Sequence, residues 1–209
     1  SFKNHFDITH FIEIYKLGFW IFLSALIVIF MMRLDLFMLQ KLDTSESVGL
    51  FAVVLTTNSI FILILSSLTS TLLPKVNNYL ENNTIDSYIK KLFSFKWYIL
   101  IFTVVMIVLS PLFINIFFGD TYEKSILAFQ ILALSYFFSF YAAPLSLVII
   151  NKNKAHLLSI MNFFQLIIMF ILNLILIPKY GLNGAAISLS AMRVFGYLYV
   201  YIYIKRNYL

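Results

Sequence analysis

Residues 17–39 read LGFWIFLSALIVIFMMRLDLFML, an apolar run long enough to cross a lipid bilayer. An α-helix needs roughly 20 apolar residues to span the hydrocarbon core. The run contains 14 Leu, Ile, Val or Phe residues. Together they contribute about −4 to −8 kcal/mol of insertion free energy, and Arg33 and Asp35 oppose this by about 2.5–3.5 kcal/mol each if they lie centrally. The run therefore predicts a transmembrane helix that tolerates both charges.

The two charges of this run are expected to point in different directions. Positions i and i+2 lie about 200° apart on a helix, so Arg33 and Asp35 do not pair with each other. Both lie in the outer half of the predicted span, and the longer Arg33 side chain snorkels outward more easily. Asp35 then needs a water-filled cavity or a partner on another helix, with purely structural pairing as the alternative. The same alternatives stay open for Arg33.

Composition places the whole chain in a membrane. Hydrophobic residues make up 62% of the sequence, charged residues make up 11%, and the mean hydropathy is +0.94. Ordinary soluble domains carry about 25% charged residues. The sequence has no cysteine, so thiol and disulfide chemistry are excluded. It also lacks HExxH, GxSxG and Gly-rich phosphate motifs, so we expect no enzyme, no cofactor, no metal site and no nucleic-acid partner.

The predicted fold is all-α and polytopic, a bundle of six transmembrane helices. Helices are expected because lipid offers no partner to unpaired backbone groups. The predicted spans are approximately 17–39, 48–73, 95–118, 125–150, 155–177 and 183–204. The polar connection between the second and third spans contains TIDSYIKKLFSF, residues 84–95, which is either an interfacial helix or a solvated linker.

The basic residues predict an orientation. Ten of the 15 Lys and Arg residues fall on the side that holds the N-terminus, three fall on the other side, and Arg33 and Arg193 lie within spans. Cytoplasmic loops carry the excess of Lys and Arg in membrane proteins. Both termini of the chain are therefore expected in the cytoplasm.

Polar side chains recur inside the later spans. They are Asn58 in the second, Gln130 in the fourth, Asn162, Gln165 and Asn173 in the fifth, and Arg193 in the last. The three in the fifth span fall at roughly 0°, 300° and 20° on a helical wheel and form one stripe. A hydrophilic cavity and interhelical hydrogen bonding are equally consistent with that stripe. Arg193 lies near the midplane and is a candidate functional residue, and its contact with Asp35 is expected to be indirect because their depths differ.

Four stretches of the sequence resemble a known family. They are MMRLDLFMLQKLDTSESVGLFAVV at 31–54, LTSTLLPKV at 68–76, FFGDTYEKSILAFQILALSYFF at 117–138 and LNLILIPKYGLNGAAISLSAM at 172–192. The chain resembles the C-terminal half of polysaccharide flippases of the multidrug/oligosaccharidyl-lipid/polysaccharide exporter superfamily, close to the Wzx-type O-antigen flippases. The last stretch is the most specific of the four, and together they cover nearly the whole chain.

This resemblance implies two six-helix lobes around a central cavity, a transporter of twelve or more helices that works by alternating access. It implies movement of undecaprenyl-pyrophosphate-linked oligosaccharide across the bacterial cytoplasmic (inner) membrane, for O-antigen, lipopolysaccharide or capsule assembly. The N-terminal lobe is missing from the sequence, so we expect a fragment rather than a half-size protein. Other expected partners are membrane lipids and the polysaccharide polymerase machinery.

The resemblance also implies roles for the three charged residues within the spans. Arg33, Asp35 and Arg193 would line or approach the cavity, where the two cations suit a pyrophosphate or an acidic sugar. Asp35 would either bind a coupling cation, H⁺ or Na⁺, or stabilise an arginine. Two other functions remain open, a cation-coupled multidrug-type antiporter on the same fold and a membrane scaffold that transports nothing.

Overall fold

A computed structural model describes residues 8–208, with the side chains of residues 8–11 and 13 left aside. Over this range the chain forms helices, a short 3₁₀ turn at Asp120–Tyr122 and no strand. The helices are α1 (Ile8–Leu42), α2 (Ser45–Glu81), α3 (Ile85–Ser94), α4 (Lys96–Phe118), α5 (Ser125–Asn151) and α6 (Ala155–Tyr208). The predicted all-α class is confirmed.

Five helical segments in the described range are long and apolar enough to cross a membrane. They are Ile14–Leu42, Ser45–Glu81, Ile85–Phe118, Ser125–Asn151 and Ala155–Tyr208. The length and composition of these helices are those of a multi-pass membrane protein, as predicted. The predicted spans 155–177 and 183–204 both lie in α6, and the count of six crossings and the second lobe stay predictions.

Helix α6 is broken at Gly181 and folds back on itself. Gly181 has φ 53° and ψ −129°, a backbone conformation that is open almost only to glycine. Across this break, Gln165 Nε2 on the N-terminal side donates a hydrogen bond to the Met192 carbonyl on the C-terminal side at 3.0 Å. Gly184 lies so close to the Leu176 backbone that a β-carbon would collide with it. Residues 155–180, the first arm, therefore run antiparallel to residues 182–208, the second arm.

The packing register of the bundle follows from contacts between its helices. Trp20 meets Ser159 and Asp35 meets Asn173, so α1 and the first arm run parallel. On the other side of the bundle α5 runs parallel to the second arm, with Ser190 Oγ donating to the Ile131 carbonyl at 3.2 Å. Helices α2, α4 and α6 all pack on α5, which makes α5 the central helix of the bundle.

Two hydrophobic clusters divide the core along the helix axes. One cluster, near the turn between α1 and α2, includes the fully buried Leu39 and Phe51. The other cluster lies near the C-terminal end of α5 and includes the fully buried Leu145 and Val148. Close packing of these apolar side chains keeps lipid out of the contacts between helices, and the helix faces that do not take part in these contacts remain exposed.

The connection 74–94 contains helix α3, so this segment is helical, while its position at the membrane interface stays a prediction. Its apolar side chains pack on the cluster near the C-terminal end of α5, and Tyr88 Oη donates to the Pro144 carbonyl at 3.1 Å. Lys90 and Lys91 remain exposed on its other face. Helix α3 thus fixes the start of α4 against α2 and α5.

Candidate functional site

Asp35 is buried where α1 meets the first arm of α6. The residue is 2% exposed, and its carboxylate accepts a hydrogen bond of 2.7 Å from Asn173 Nδ2. Arg33, two residues earlier, is exposed on the opposite side of α1. Their opposed directions follow from the helical geometry, as predicted. Asp35 therefore has a hydrogen-bond partner on another helix, whereas Arg33 points away from the bundle interior.

The polar stripe predicted in the fifth span lies mainly along the contact with α1. Asn162 Nδ2 donates to Ser24 Oγ at 2.6 Å, and Ser159 Oγ donates to the Trp20 carbonyl at 2.6 Å. Together with Asn173 these residues form a polar seam between two parallel helices. Gln165 instead bridges the two arms of α6. The structure places all of them in interhelical hydrogen bonds, the structural alternative of the sequence analysis.

Arg193 is held between the second arm and α5. Its Nη1 donates to Ser135 Oγ at 2.9 Å, and its guanidinium carbon lies 3.8 Å from the ring centroid of Tyr136. The other side of the Tyr136 ring stacks on Phe61, with 4.6 Å between the ring centroids. A guanidinium stacked on an aromatic face gains electrostatic attraction. Arg193 is thus ordered by α5 and, through Tyr136, linked to α2.

Asp35 and Arg193 do not meet directly. Within residues 8–208 the one ion pair, apart from any that involve the side chains left aside, is Lys124 with Glu46 at 2.9 Å, both exposed, near the starts of α5 and α2. This agrees with the indirect relation that the depths of Asp35 and Arg193 predicted. No group of three or more acidic or histidine side chains converges in the described range.

Asn58 and Gln130 have local structural partners. Asn58 is buried and Nδ2 donates to the Val54 carbonyl at 2.9 Å, within its own helix. Gln130 Nε2 donates to Ser110 Oγ at 3.0 Å and to the Ile107 carbonyl at 3.3 Å, and Ser110 Oγ donates to the same carbonyl at 2.7 Å. That carbonyl lacks its usual helical donor because Pro111, four residues later, has no N–H. Ser110 and Gln130 together replace this donor, and a contact of Asn58 or Gln130 with substrate stays a prediction.

A polar surface that the sequence analysis missed runs along α2. Six small hydroxyl residues lie on its exposed side: Thr56, Ser59, Ser66, Ser67, Ser70 and Thr71. At about 100° per residue they fall within an arc of about 140°. Four of them donate to carbonyls of their own helix, as Thr56 does to Ala52 at 2.8 Å, which leaves oxygen lone pairs free to accept. We call these six residues the hydroxyl face. A helical wheel of residues 56–71 would have shown it.

Comparison with known proteins matches the sequence to a family. The family model whose description is "Polysaccharide biosynthesis protein" matches residues 1–127, which is more than half of the 209-residue chain. The matched range includes α1, α2, α3, α4 and the 3₁₀ turn. Comparison with curated proteins and with solved structures returned no match. The chain belongs to the polysaccharide biosynthesis protein family.

Proposed function

We propose that the chain is one lobe of a flippase that moves undecaprenyl-pyrophosphate-linked oligosaccharide from the inner to the outer leaflet. The observation that carries this proposal is the family match over residues 1–127, in a chain with several apolar helices long enough to span a membrane. Polysaccharides are assembled on lipid carriers that cannot cross a bilayer unaided, because the sugar and phosphate groups lose their hydration in hydrocarbon. A multi-pass helical protein of this family supplies a polar route for them.

The hydroxyl face and Arg33 would form this lobe's part of that route. Helices α1 and α2 meet at a short turn near Asp43, and Arg33 and Thr56 lie about equally far along the chain from it. Serine and threonine oxygens hydrogen-bond sugar hydroxyls, and the arginine fork binds a pyrophosphate through charge-assisted hydrogen bonds. Both groups are exposed on the described surface, where a second lobe would close a cavity over them.

Asp35 and Arg193 have a positioning role in the proposed transport: they hold together the helices of the lobe that lines the polar route. Asp35 fixes α1 against the first arm through Asn173, and Arg193 ties the second arm to α5. Alternating access requires the helices of a lobe to move as a unit. A rigid set of buried polar contacts inside the lobe serves that requirement.

The proposed setting is the bacterial inner membrane, with both termini of the chain in the cytoplasm. The proposed partners are an N-terminal lobe and the polymerase machinery that consumes the flipped oligosaccharide. The support for this orientation is the excess of Lys and Arg on the side of the termini. The product would serve O-antigen or capsule assembly.

The proposal is tested by restoring glycan display in a strain that lacks the gene. We expect the full-length protein to restore surface glycan, and Arg33→Ala to reduce it severalfold at equal expression. Lys41→Ala removes an equally exposed positive charge near the end of α1 and serves as the matched control. Equal glycan display by the Arg33→Ala and wild-type proteins would remove Arg33 from the route. Failure of the wild-type protein to restore display would reject the flippase itself.

One observation favours a second function, a cation-coupled antiporter. Asp35 is a buried carboxylate whose described partner is a neutral amide, and such a group is suited to bind and release a proton or Na⁺. Drug efflux driven by an imposed cation gradient, and its loss in Asp35→Asn, would support this function. If the protein transports neither drug nor glycan lipid, the scaffold alternative remains.

A further inference from the structure

An apolar groove separates α2 from α4 on the outside of the bundle. Both helices pack on α5, and their backbones stay apart although Phe61 and Phe102 meet between them. The space between them has a volume of about 410 Å³, within the range of small-molecule sites. Its walls are Ile64 and Leu68 of α2 together with Phe95, Tyr98 and Phe102 at the start of α4, and its floor is Phe140 of α5. We call this space the tail groove.

The floor of the tail groove is buried and packed against other aromatic rings. Phe140 is only 4% exposed, and Phe102 packs edge-on against it with 6.2 Å between ring centroids. Phe102 also packs on Phe61, which stacks on Tyr136. The groove is therefore a built concavity rather than a gap between loose side chains. Its walls contain almost no polar surface, so a hydrocarbon chain fits it better than a headgroup does.

The chemistry at one end of the groove changes abruptly. Phe95 and Tyr98 form this end, and their neighbours Lys96 and Trp97 are exposed, with the Lys96 ammonium 5.5 Å from the Trp97 ring centroid. Lys91, next to the buried Leu92 in α3, is exposed as well. Exposed aromatic and basic residues of this kind mark the headgroup level of a membrane helix. With the orientation proposed above, this level belongs to the cytoplasmic leaflet, whose surface is anionic.

We propose that the tail groove is a specific site for an anionic phospholipid of the cytoplasmic leaflet. One acyl chain fills the groove between Leu68 and Phe102, and Lys91 and Lys96 hold the headgroup phosphate. Phospholipid is the occupant because it is the bulk component of the membrane into which the groove opens, and mass action fills such a site. The bound chain would stabilise the separation of α2 from α4, and α2 carries the hydroxyl face.

The site can be tested with a fluorescent reporter inside the groove. Phe102→Trp is introduced into the full-length protein, every other tryptophan is replaced by Phe, and the protein is reconstituted in vesicles. Phosphatidylglycerol or phosphatidylcholine with brominated acyl chains is then titrated, because bromine quenches nearby tryptophan. We expect phosphatidylglycerol to reach half-quenching at a mole fraction about tenfold lower, since two lysines contribute to its binding. A control reporter at Ile116→Trp, a 67% exposed position near the other end of α4, should quench with little preference between the two lipids.

Two variants identify the cause of any preference. The double substitution Lys91→Gln and Lys96→Gln should abolish the preference for phosphatidylglycerol. Lys41→Gln, near the C-terminal end of α1 and outside the groove, should leave this preference intact. Equal quenching by both lipids would overturn the anionic site. Absence of quenching at position 102 would mean that protein, and not lipid, covers the groove. Relief of quenching by a polyprenyl phosphate, but not by unbrominated phosphatidylglycerol, would reassign the groove to an isoprenoid chain. None of these readouts measures transport, so this site can fail while the flippase proposal stands.

Discussion

Asn173 donates a hydrogen bond of 2.7 Å to the buried carboxylate of Asp35 and so joins α1 to the first arm of α6. The two residues are separated by 138 positions in the chain. Asn173 itself is fully buried, and its Oδ1 atom has no hydrogen-bond partner among the described residues. This contact, together with those of Ser159 and Asn162, holds in parallel two helices that lie far apart in sequence.

This contact predicts a non-additive pair of substitutions. Asn173→Leu should lower stability by about 1–3 kcal/mol, because it leaves a buried acceptor without a donor. Asp35→Leu with Asn173→Leu should recover most of that loss, since no buried polar group then lacks a partner. Thermal unfolding in detergent measures both, with the exposed Thr56→Val as a control. Strictly additive losses would show that the two side chains do not interact.

The hairpin in α6 predicts a strong requirement for glycine at position 181. A β-carbon there would lie 2.6 Å from Asp43 Oδ2, and the positive φ disfavours any other residue. Gly181→Ala should cost about 1–3 kcal/mol. Gly18→Ala is the control because nothing lies within 4 Å of its added β-carbon. Equal melting temperatures of the two variants would contradict the described turn.

The Gln130 contact with α4 near Pro111 predicts a second coupling. Gln130→Leu should cost about 1 kcal/mol, because Ser110 Oγ then loses its donor and the Ile107 carbonyl keeps only the hydrogen bond from Ser110. Pro111→Ala restores an N–H four residues after Ile107, so the cost of Gln130→Leu should shrink in that background. Melting temperatures of the four proteins in the cycle measure the coupling. An unchanged cost of Gln130→Leu would mean that Gln130 does not replace the backbone donor missing at Pro111.

The stacking of Arg193 on Tyr136 predicts that charge alone does not replace it. Arg193→Lys keeps the positive charge but loses the planar contact, and should be less stable than wild type by about 1 kcal/mol. Surface glycan display of Arg193→Ala, at equal expression, then separates two interpretations. Reduced display supports the lobe-holding role in transport, whereas unchanged display would make Arg193 a packing residue only.

The hydroxyl face predicts a pattern of water access along α2. These 209 residues contain no cysteine, so a single cysteine placed among them is the one thiol of this lobe. Ser67→Cys should react with a membrane-impermeant thiol reagent, because the proposed route contains water. Leu109→Cys lies on an exposed side of α4 and should not react. Equal reactivity at the two positions would remove the distinction between route and lipid surface.

The sequence predicted those features that depend on local chemistry. The apolar runs gave the helices, and the 100° step of the helix placed Arg33 and Asp35 on opposite sides. It could not show that Asn173 is the partner of Asp35, since that depends on α1 lying beside α6. The target of Gln130 was hidden for the same reason, because the carbonyl freed by Pro111 belongs to another helix. The hydroxyl face was recoverable from residues 56–71, but burial was needed to show which side of α2 is exposed.

The leaflet distribution of the lipid-linked oligosaccharide tests the central claim most directly. It is measured in cells with and without the gene. The readout is the fraction of the lipid-linked oligosaccharide that an added glycosidase can cleave after the outer membrane is permeabilised and while the inner membrane stays intact. The flippase proposal predicts that loss of the gene leaves the amount of this lipid unchanged or raised and traps it in the cytoplasmic leaflet. An unchanged outer fraction, or the disappearance of the lipid itself, would contradict the proposal.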